Sequence, residues 1–286
     1  LGKMADEQEN SEVTCQFCDK IYTFSREELR ELQLERMRES LRNAYENVPL
    51  YRERFDAAGV TPDDLESLED IAKFPFVVKQ DMRDNYPFGL FAVPQKKVVR
   101  IHASSGTTGK PTVVGYTKND LDMWSEIMAR LIAAAGVNDE DIAQICFGYG
   151  LFTGALGLHY GLERLGASVV PSSSGNSEKQ IMLMKDFGTT TLIATPTYAL
   201  YLGELAAELG YGPDDFKLRI GLFGSEGSTP EMRAKIEQKL GLFATDNYGM
   251  SELIGPGVSG ECEFRDGLHI NEDHFFTEVV DPDTLE

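Results

Sequence analysis

Apolar residues recur at helical spacing from Ser25 onward, and they form one face of a predicted helix: Leu29, Leu32, Met37, Leu41 and Tyr45. Ser25 and Glu28 form a capping-box pattern at its start, and Pro49 predicts its end. Glycine and prolines then divide residues 50–95 into segments that predict short helices.

Beyond residue 112, apolar segments of two kinds alternate. Short β-branched runs predict strands at 142–147, 167–171, 190–194, 219–223 and 242–247. Longer segments predict helices at 118–135, 155–165, 178–187, 196–209 and 230–240. This alternation predicts an α/β fold with layered, largely parallel sheets and helices on both faces. Ligands of such sheets bind at the carboxyl ends of the strands.

A segment rich in glycine and hydroxyl groups lies between two β-branched runs: Ser104, Ser105, Gly106, Thr107, Thr108, Gly109, Lys110 and Pro111. Glycines allow the backbone to approach a ligand, and successive amide groups in a tight turn bind anions. The hydroxyl groups and the Lys110 ammonium add donors for phosphate oxygens. The segment therefore predicts a loop that binds a polyphosphate.

This loop differs from the common P-loop, which has glycine where Ser104 stands and Ser or Thr where Pro111 stands. Because the chain continues as a predicted strand, the loop joins two strands and has no helix behind the phosphates. The alternative from composition alone is a surface hairpin rich in Ser, Thr and Gly.

Three further segments combine glycine with polar or aromatic residues at predicted strand ends: 148–154, 224–227 and 248–252. Such strand ends predict a binding pocket. Each segment taken singly is also typical of an ordinary connection between a strand and a helix.

The composition excludes several classes of protein. A net charge of −20 argues against a nucleic-acid surface, and no apolar run reaches the roughly 20 residues that cross a bilayer. Four cysteines are too few for a disulfide scaffold, and no signal-peptide pattern is seen, so we expect a cytoplasmic protein. An acidic protein that binds polyphosphate needs local cations or Mg²⁺, and Lys96, Lys97, Arg100 and Lys110 lie around the loop.

Two sets of residues are candidate zinc ligands. Cys15 and Cys18 form half of a zinc site within residues 1–24, which the polar composition predicts to be a flexible tail; the alternative is two free thiols. Cys262, His269 and His274 form the second set, for which the alternative is a hydrogen-bonded surface loop.

Taken together, residues 104–111 and 248–252 resemble the signature pair of acyl-adenylate-forming enzymes. Residues 100–104, 148–154, 255–258 and 269–275 resemble, more narrowly, the phenylacetate–CoA ligase family. The resemblance runs from about Ser25 to Glu286 and implies a helical N-terminal region at 25–97 and a nucleotide- and acyl-binding domain at 98–286. It also implies that the family's C-terminal domain, with its adenylation lysine, lies beyond Glu286. Apolar surface that this domain covers would allow a homodimer or aggregation.

The resemblance implies ATP-dependent activation of an aryl carboxylic acid, phenylacetate first, to an acyl-adenylate and then to its coenzyme A thioester. Indoleacetate and benzoate analogues remain open as substrates. The implied cofactors are ATP, Mg²⁺ and coenzyme A, and the implied partner is a small-molecule aryl acid.

The family's roles carry over by motif. Lys110 and Glu252 would be catalytic, and Glu252 would also bind Mg²⁺. ATP would be bound by Ser104, Ser105, Gly106, Thr107, Thr108, Gly109, Gly224, Ser225, Glu226, Asn247, Tyr248, Gly249, Met250 and Ser251. The aryl group would be bound by Phe147, Tyr149, Gly150, Phe152 and Gly154.

Structural alternatives exist for three residues: Phe147 as ordinary core, Glu226 as a cap of the helix at Pro230, and His102 as a buried structural histidine. A rival function is a non-catalytic nucleotide-binding or zinc/redox-switch chimeric module. It rests on residues 1–29, which resemble the C-terminal zinc switch of a bacterial redox-regulated holdase chaperone but contain only its second cysteine pair.

Overall fold

The computed structural model of the protein describes residues 10–14, 21–104 and 110–284, with side chains from Ser25 onward. Backbone contacts divide the chain into two units, residues Leu1–Pro94 with Asn271–Glu286, and residues Gln95–Ile270. The sequence prediction placed 271–286 in the α/β domain, whereas the structure groups them with the helical unit. Gln33 Nε2 donates to the Glu272 carbonyl at 2.9 Å and Arg36 Nη1 to the Asp273 carbonyl at 2.6 Å, which explains that grouping.

The first unit begins with strands β1 (Asn10–Thr14) and β2 (Ile21–Ser25), which pair antiparallel. Residues 10–14 and 21–24 of these strands fall within the predicted tail, while Cys15 and Cys18 lie outside the described residues. The capping box is confirmed, since Ser25 Oγ accepts from the Glu28 amide at 3.1 Å and Glu28 Oε2 accepts from the Ser25 amide at 2.8 Å. The α-helices of this unit are α1 (Arg26–Asn47), α2 (Pro49–Ala58) and α3 (Lys79–Asp84).

Phe55 is the centre of the first unit's core. It is buried together with Leu65 and Phe74, and its ring meets the edge of the Phe74 ring at 5.1 Å between centroids. Three α1 residues of the predicted apolar face, Met37, Leu41 and Tyr45, pack against this cluster. Leu34, which that prediction did not include, packs there as well.

The second unit contains a sheet of seven strands in the order β11-β10-β9-β8-β7-β5-β6. Its strands are β5 (Ile142–Ile145), β6 (Ser168–Val170), β7 (Thr191–Ala194), β8 (Ile220–Gly224), β9 (Phe243–Met250), β10 (Gly255–Gly260) and β11 (His269–Ile270). Strands β5 to β9 pair parallel, and β10 pairs antiparallel with β9 and β11. Strands β3 (Arg100–Ala103) and β4 (Val113–Tyr116) form a separate antiparallel pair around the predicted phosphate loop.

Helices cover both faces of this sheet, so the predicted largely parallel α/β architecture is confirmed. They are α4 (Lys118–Ala134), α5 (Thr153–Leu165), α6 (Ser177–Asp186), α7 (Pro196–Glu208) and α8 (Pro230–Leu240). One core holds Trp124, Leu158 and Ile193, and a second holds Ile181, Leu202 and Ile236. Within the described ranges, no helix is long and apolar enough to cross a membrane.

Strand β9 is longer than the sequence predicted. Residues 248–250 were expected in a loop, but they continue the strand as far as Met250 and pair with β10. The chain reverses through Ser251–Leu253 and Ile254, whose positive φ of 69° is uncommon for a β-branched residue. Strand β10 was missed because its glycine-rich sequence has no alternation of apolar and polar residues.

An ion pair joins Asp141 and Arg219, the residues directly before β5 and β8. Asp141 is buried, and its carboxylate accepts hydrogen bonds from the Arg219 guanidinium and from Thr190 Oγ1. Burial of Asp141 acts to raise its pKa, but the hydrogen bonds from Arg219 and Thr190 prevail and lower the pKa below its ordinary value. The ion pair therefore stabilises the fold above the ordinary aspartate pKa, and this contribution is lost as the pH falls through the lowered value.

We expect Asp141→Asn to reduce the free energy of unfolding by about 1 kcal/mol near neutral pH, because it removes the negative charge that pairs with the partly exposed Arg219 guanidinium and accepts from Thr190 Oγ1. Urea unfolding of both proteins at a series of pH values measures this. The difference should shrink as the pH falls below about 4. A difference that is constant with pH would contradict the assignment.

Candidate active site

The base of the predicted phosphate loop is closed by two hydrogen bonds. The Ser104 amide donates to the Thr112 carbonyl at 2.9 Å, and the Thr112 amide donates to Ser104 Oγ at 2.9 Å. The loop therefore leaves β3 and returns to β4 through a fixed base. Five predicted phosphate-binding residues lie outside the described residues: Ser105, Gly106, Thr107, Thr108 and Gly109.

Glu252, which follows strand β9, contacts this base through Thr112. Thr112 is buried, and its Oγ1 donates to Glu252 Oε1 at 3.1 Å. Thr112 follows Lys110 by two residues, so the two Cα atoms lie within about 7 Å of each other. A second bond holds the same junction, because Tyr116 Oη donates to the Ile254 carbonyl at 2.9 Å. The predicted convergence of the loop and Glu252 thus holds for the described part of the loop.

A carboxylate at this position suits Mg²⁺, which proteins commonly bind through one or two carboxylates together with phosphate oxygens. Thr112 adds a neutral hydroxyl group beside the Glu252 carboxylate. The donor set therefore fits the metal that the resemblance implies.

A cavity of about 170 Å³ opens at the carboxyl ends of β8 and β9 and the start of α5. Its walls include two phenylalanines, Phe147 and Phe152, whose ring centroids lie 5.7 Å apart at an interplanar angle of 67°. Leu158 and Leu222 also line it. A cavity of roughly 150 Å³ with apolar walls holds a benzene molecule. The cavity therefore has the size and surface of a site for one aromatic ring.

Gly154 is required for this arrangement. A Cβ atom at this position would lie 2.3 Å from the Phe152 ring, so only glycine lets that ring lie against the first turn of α5. The turn forms the cavity wall next to Phe152.

The cavity brings together nine residues that the sequence singled out: Phe147, Phe152, Gly154, Gly224, Ser225, Asn247, Gly249, Met250 and Ser251. Residues expected around ATP and residues expected around the aryl group therefore line one space. Leu158 and Leu222 also line it and were missed, because their sequence signal was that of ordinary core residues. Pro256 lines it too and belongs to the 255–258 motif, to which no role was given.

Apart from Glu252 and the residues of the phosphate loop, four predicted site residues are not among those that line this cavity: Tyr149, Gly150, Glu226 and Tyr248. The Tyr149 hydroxyl pairs with His159 Nδ1 at 3.0 Å, and a Cβ at Gly150 would meet nothing within 4 Å. Tyr248 lies in β9 and is half exposed.

Glu226 caps a helix, but a different helix from the one considered. Its Oε1 accepts from the Thr197 amide at 2.7 Å in the first turn of α7, whereas the sequence suggested α8. The hydrogen bonds from Thr197 lower the pKa of Glu226. A carboxylate at this helix N-terminus is favoured by the exposed amide groups.

His102 fits the structural alternative. It is buried, its ring meets the Tyr116 and Trp124 rings edge-on, and its Nδ1 pairs with the Leu151 carbonyl at 3.0 Å. Burial lowers the pKa of His102, which keeps the imidazole neutral at physiological pH.

The candidate zinc set does not form a cluster in the part of the chain that the structure describes. Cys262 Sγ lies 3.1 Å from His269 Nε2 and accepts from the Phe264 amide at 3.4 Å. His274 belongs to the first unit, where it forms an ion pair with Asp273. Among the described residues, no group of three or more His, Cys, Asp or Glu side chains is arranged to hold a metal ion.

Comparison with known proteins identifies the family. The family described as AMP-binding enzyme matches residues 8–274. Phenylacetate-coenzyme A ligase of Pseudomonas putida is 56% identical over 269 residues, covering 94% of this chain and 61% of that protein. The protein of the same name from Thermus thermophilus is 52% identical over 268 residues, covering 93% of this chain and 60% of that protein. The chain thus spans about three fifths of the length of these relatives.

A solved structure gives the same picture of the fold. The crystal structure of 2-hydroxyisobutyryl-CoA ligase in complex with 2-HIB-AMP and CoA superposes with a TM-score of 0.87 at 30% identity, covering 92% of this chain and 57% of that chain. The family match begins at residue 8, within the segment that resembles a holdase zinc switch, and the comparisons give that resemblance no support.

Proposed function

The chain belongs to the family of AMP-binding enzymes, and on that premise we propose that the whole protein converts an aryl carboxylic acid, phenylacetate first, to an acyl-adenylate and then to its coenzyme A thioester. The similarity to phenylacetate-coenzyme A ligases supports the substrate class. One observation carries the proposal. The cavity lined by Phe147 and Phe152 is also lined by Met250 and Ser251, and the next residue, Glu252, hydrogen-bonds to the base of the phosphate loop.

The chemistry explains why these parts belong together. A carboxylate becomes reactive towards a thiol only when its oxygen is converted to a good leaving group, and attack on the α-phosphate of ATP does this. Both reacting groups are anionic, so positioning and neutralisation of charge must supply most of the catalysis. When bound, Mg²⁺ would supply positive charge at the phosphates.

The chain's own residues would then divide the work. Lys110 and the loop from Ser104 to Gly109 would bind the triphosphate, and Glu252 would hold the metal. Phe147, Phe152 and Gly154 would hold the ring with its carboxylate towards Met250 and Ser251. Gly224, Ser225 and Gly249 would form the wall between the ring and the nucleotide, with Asn247 beside the ring rather than at the adenine.

Thermal unfolding tests this proposal on the chain as it stands. We expect Mg²⁺ with ATP at about 100 times its Kd to stabilise the protein by roughly 2.7 kcal/mol, which corresponds to a rise in Tm of about 5 °C. Phenylacetate should add a further rise. Absence of any response to Mg²⁺ with ATP would refute the proposal.

The cavity volume predicts a preference for acids with one ring. A second fused ring would crowd the cavity of about 170 Å³ that Phe147 and Phe152 line, and overpacking of this kind costs about 1–3 kcal/mol. We therefore expect 1-naphthylacetate to bind at least about tenfold more weakly than phenylacetate in the presence of Mg²⁺ and ATP. Calorimetric titration of both acids measures this, with acetate as the control that lacks a ring. Equal affinity for the two aryl acids would mean that this cavity does not hold the ring.

A further inference from the structure

We propose that Thr112 is a positioning residue for the metal site: its hydroxyl group holds the Glu252 carboxylate in the orientation that binds Mg²⁺. The inference rests on the proposed function, because it takes Glu252 as the residue that binds the metal of Mg²⁺–ATP. Thr112 was not among the site residues that the sequence singled out. Its signal was a hydroxyl residue directly after the Gly-Lys-Pro end of the loop.

Burial and hydrogen bonds of its backbone restrict the position of Thr112. Its side chain is 2% exposed, its amide donates to Ser104 Oγ, and its carbonyl accepts from the Ser104 amide, both at 2.9 Å. The remaining polar group, Oγ1, donates to Glu252 Oε1 at 3.1 Å. Burial and the two backbone bonds restrict the residue, and in this position its hydroxyl group donates to the carboxylate.

This bond does not neutralise the carboxylate. A hydroxyl donor is uncharged and uses one of the about four acceptor positions of an ionised carboxylate, so the negative charge that attracts a cation is retained. Metal binding by a long side chain normally costs rotamer freedom, and a partner that restricts the side chain beforehand reduces that cost. Outer partners of metal ligands typically change metal affinity by about 10–100-fold when removed.

The same residue connects the carboxylate to the phosphate loop. Because Ser104 and Thr112 close the base of the loop, the contact between Thr112 and Glu252 sets the spacing between the loop and the carboxylate. In the proposed site, phosphate oxygens on the loop bind the metal on Glu252, so the distance between the base of the loop and the carboxylate matters. Thr112 influences the position of both the base of the loop and the carboxylate.

Calorimetric titration of ATP into the full chain, once with Mg²⁺ and once with EDTA, tests the inference. For Thr112→Val, which keeps the shape but lacks the hydroxyl, we expect the Mg²⁺-dependent gain in affinity to fall about tenfold. Thr112→Ser should retain the gain. The structural control is Tyr116→Phe, which removes the neighbouring hydrogen bond to the Ile254 carbonyl and should also retain it.

The possible results distinguish failure of this inference from failure of the proposed function. If the unaltered chain gains no affinity from Mg²⁺, the proposed function fails and the inference fails with it. If the unaltered chain gains affinity and Thr112→Val gains as much, the inference alone is overturned. If Thr112→Val does not fold, Thr112→Ala takes its place. Removal of the Thr112 hydroxyl in a Glu252→Gln background should have no further effect, and an independent, additive effect would also overturn the inference.

Discussion

Glu252→Gln is expected to abolish most of the effect of Mg²⁺ on ATP binding, with a loss of about 100-fold or more in the Mg²⁺-dependent affinity. The substitution preserves the size of the side chain and an oxygen that accepts from Thr112, but it removes the negative charge that a hard cation requires. Loss of a direct metal ligand should exceed the roughly 10–100-fold change that follows loss of an outer partner.

Titration of ATP with Mg²⁺ and with EDTA gives the two affinities whose ratio is compared between proteins. Glu163→Gln is a matched control, because it makes the same change in charge on α5, where Glu163 pairs with His159. We expect the control to behave like the unaltered protein. If Glu252→Gln and Glu163→Gln showed the same Mg²⁺-dependent affinity for ATP, Glu252 would not be a metal ligand.

The largest effect on stability is expected at Gly249. A Cβ atom there would lie 2.1 Å from the Gly255 carbonyl oxygen and 2.5 Å from the Pro256 Cα atom. Both are backbone atoms of the paired strand β10, so no rotation of a side chain relieves the clash. Gly249→Ala must therefore separate β9 from β10, and we expect it to lower the free energy of unfolding by about 3 kcal/mol or more.

Urea unfolding measures this loss, with Gly227→Ala as the control. A Cβ at Gly227 would meet nothing within 4 Å, so that variant should unfold like the unaltered protein. Because Gly249 also lines the cavity, the variant that loses stability should also lose its response to phenylacetate. A fully stable Gly249→Ala protein would contradict the close packing of the two strands.

The regular part of the fold follows from sequence periodicity. Helix α8 was predicted with the bounds Pro230–Leu240 that the structure gives, because a proline in the first turn and a following glycine mark both ends. Strand β10 escaped prediction because Gly255 and Gly257 have positive φ values and the strand's packing depends on contacts with Trp124 and Met128, which are distant in sequence.

The candidate site likewise contains features that a local sequence pattern predicts and features that depend on contacts between distant residues. Glycine and hydroxyl chemistry predicted a phosphate loop from a single segment, because anion binding is a local property of the backbone. The contact of Thr112 with Glu252 joins residues 140 positions apart, so no local pattern reveals it. Asn247 was grouped with the nucleotide residues by motif, yet pairing of β8 with β9 brings it to the cavity of the two phenylalanines.

In the proposed function, the cavity lined by Phe147 and Phe152 and the carboxylate of Glu252 bind the aryl acid and Mg²⁺–ATP at the same time. A crystal structure of the chain with Mg²⁺, a non-hydrolysable ATP analogue and phenylacetate tests it most directly. We expect the phenyl ring in the cavity lined by Phe147 and Phe152, the metal on Glu252 and the triphosphate under the loop that ends at Lys110. Electron density for the ring outside this cavity, or for the metal away from Glu252, would contradict the account.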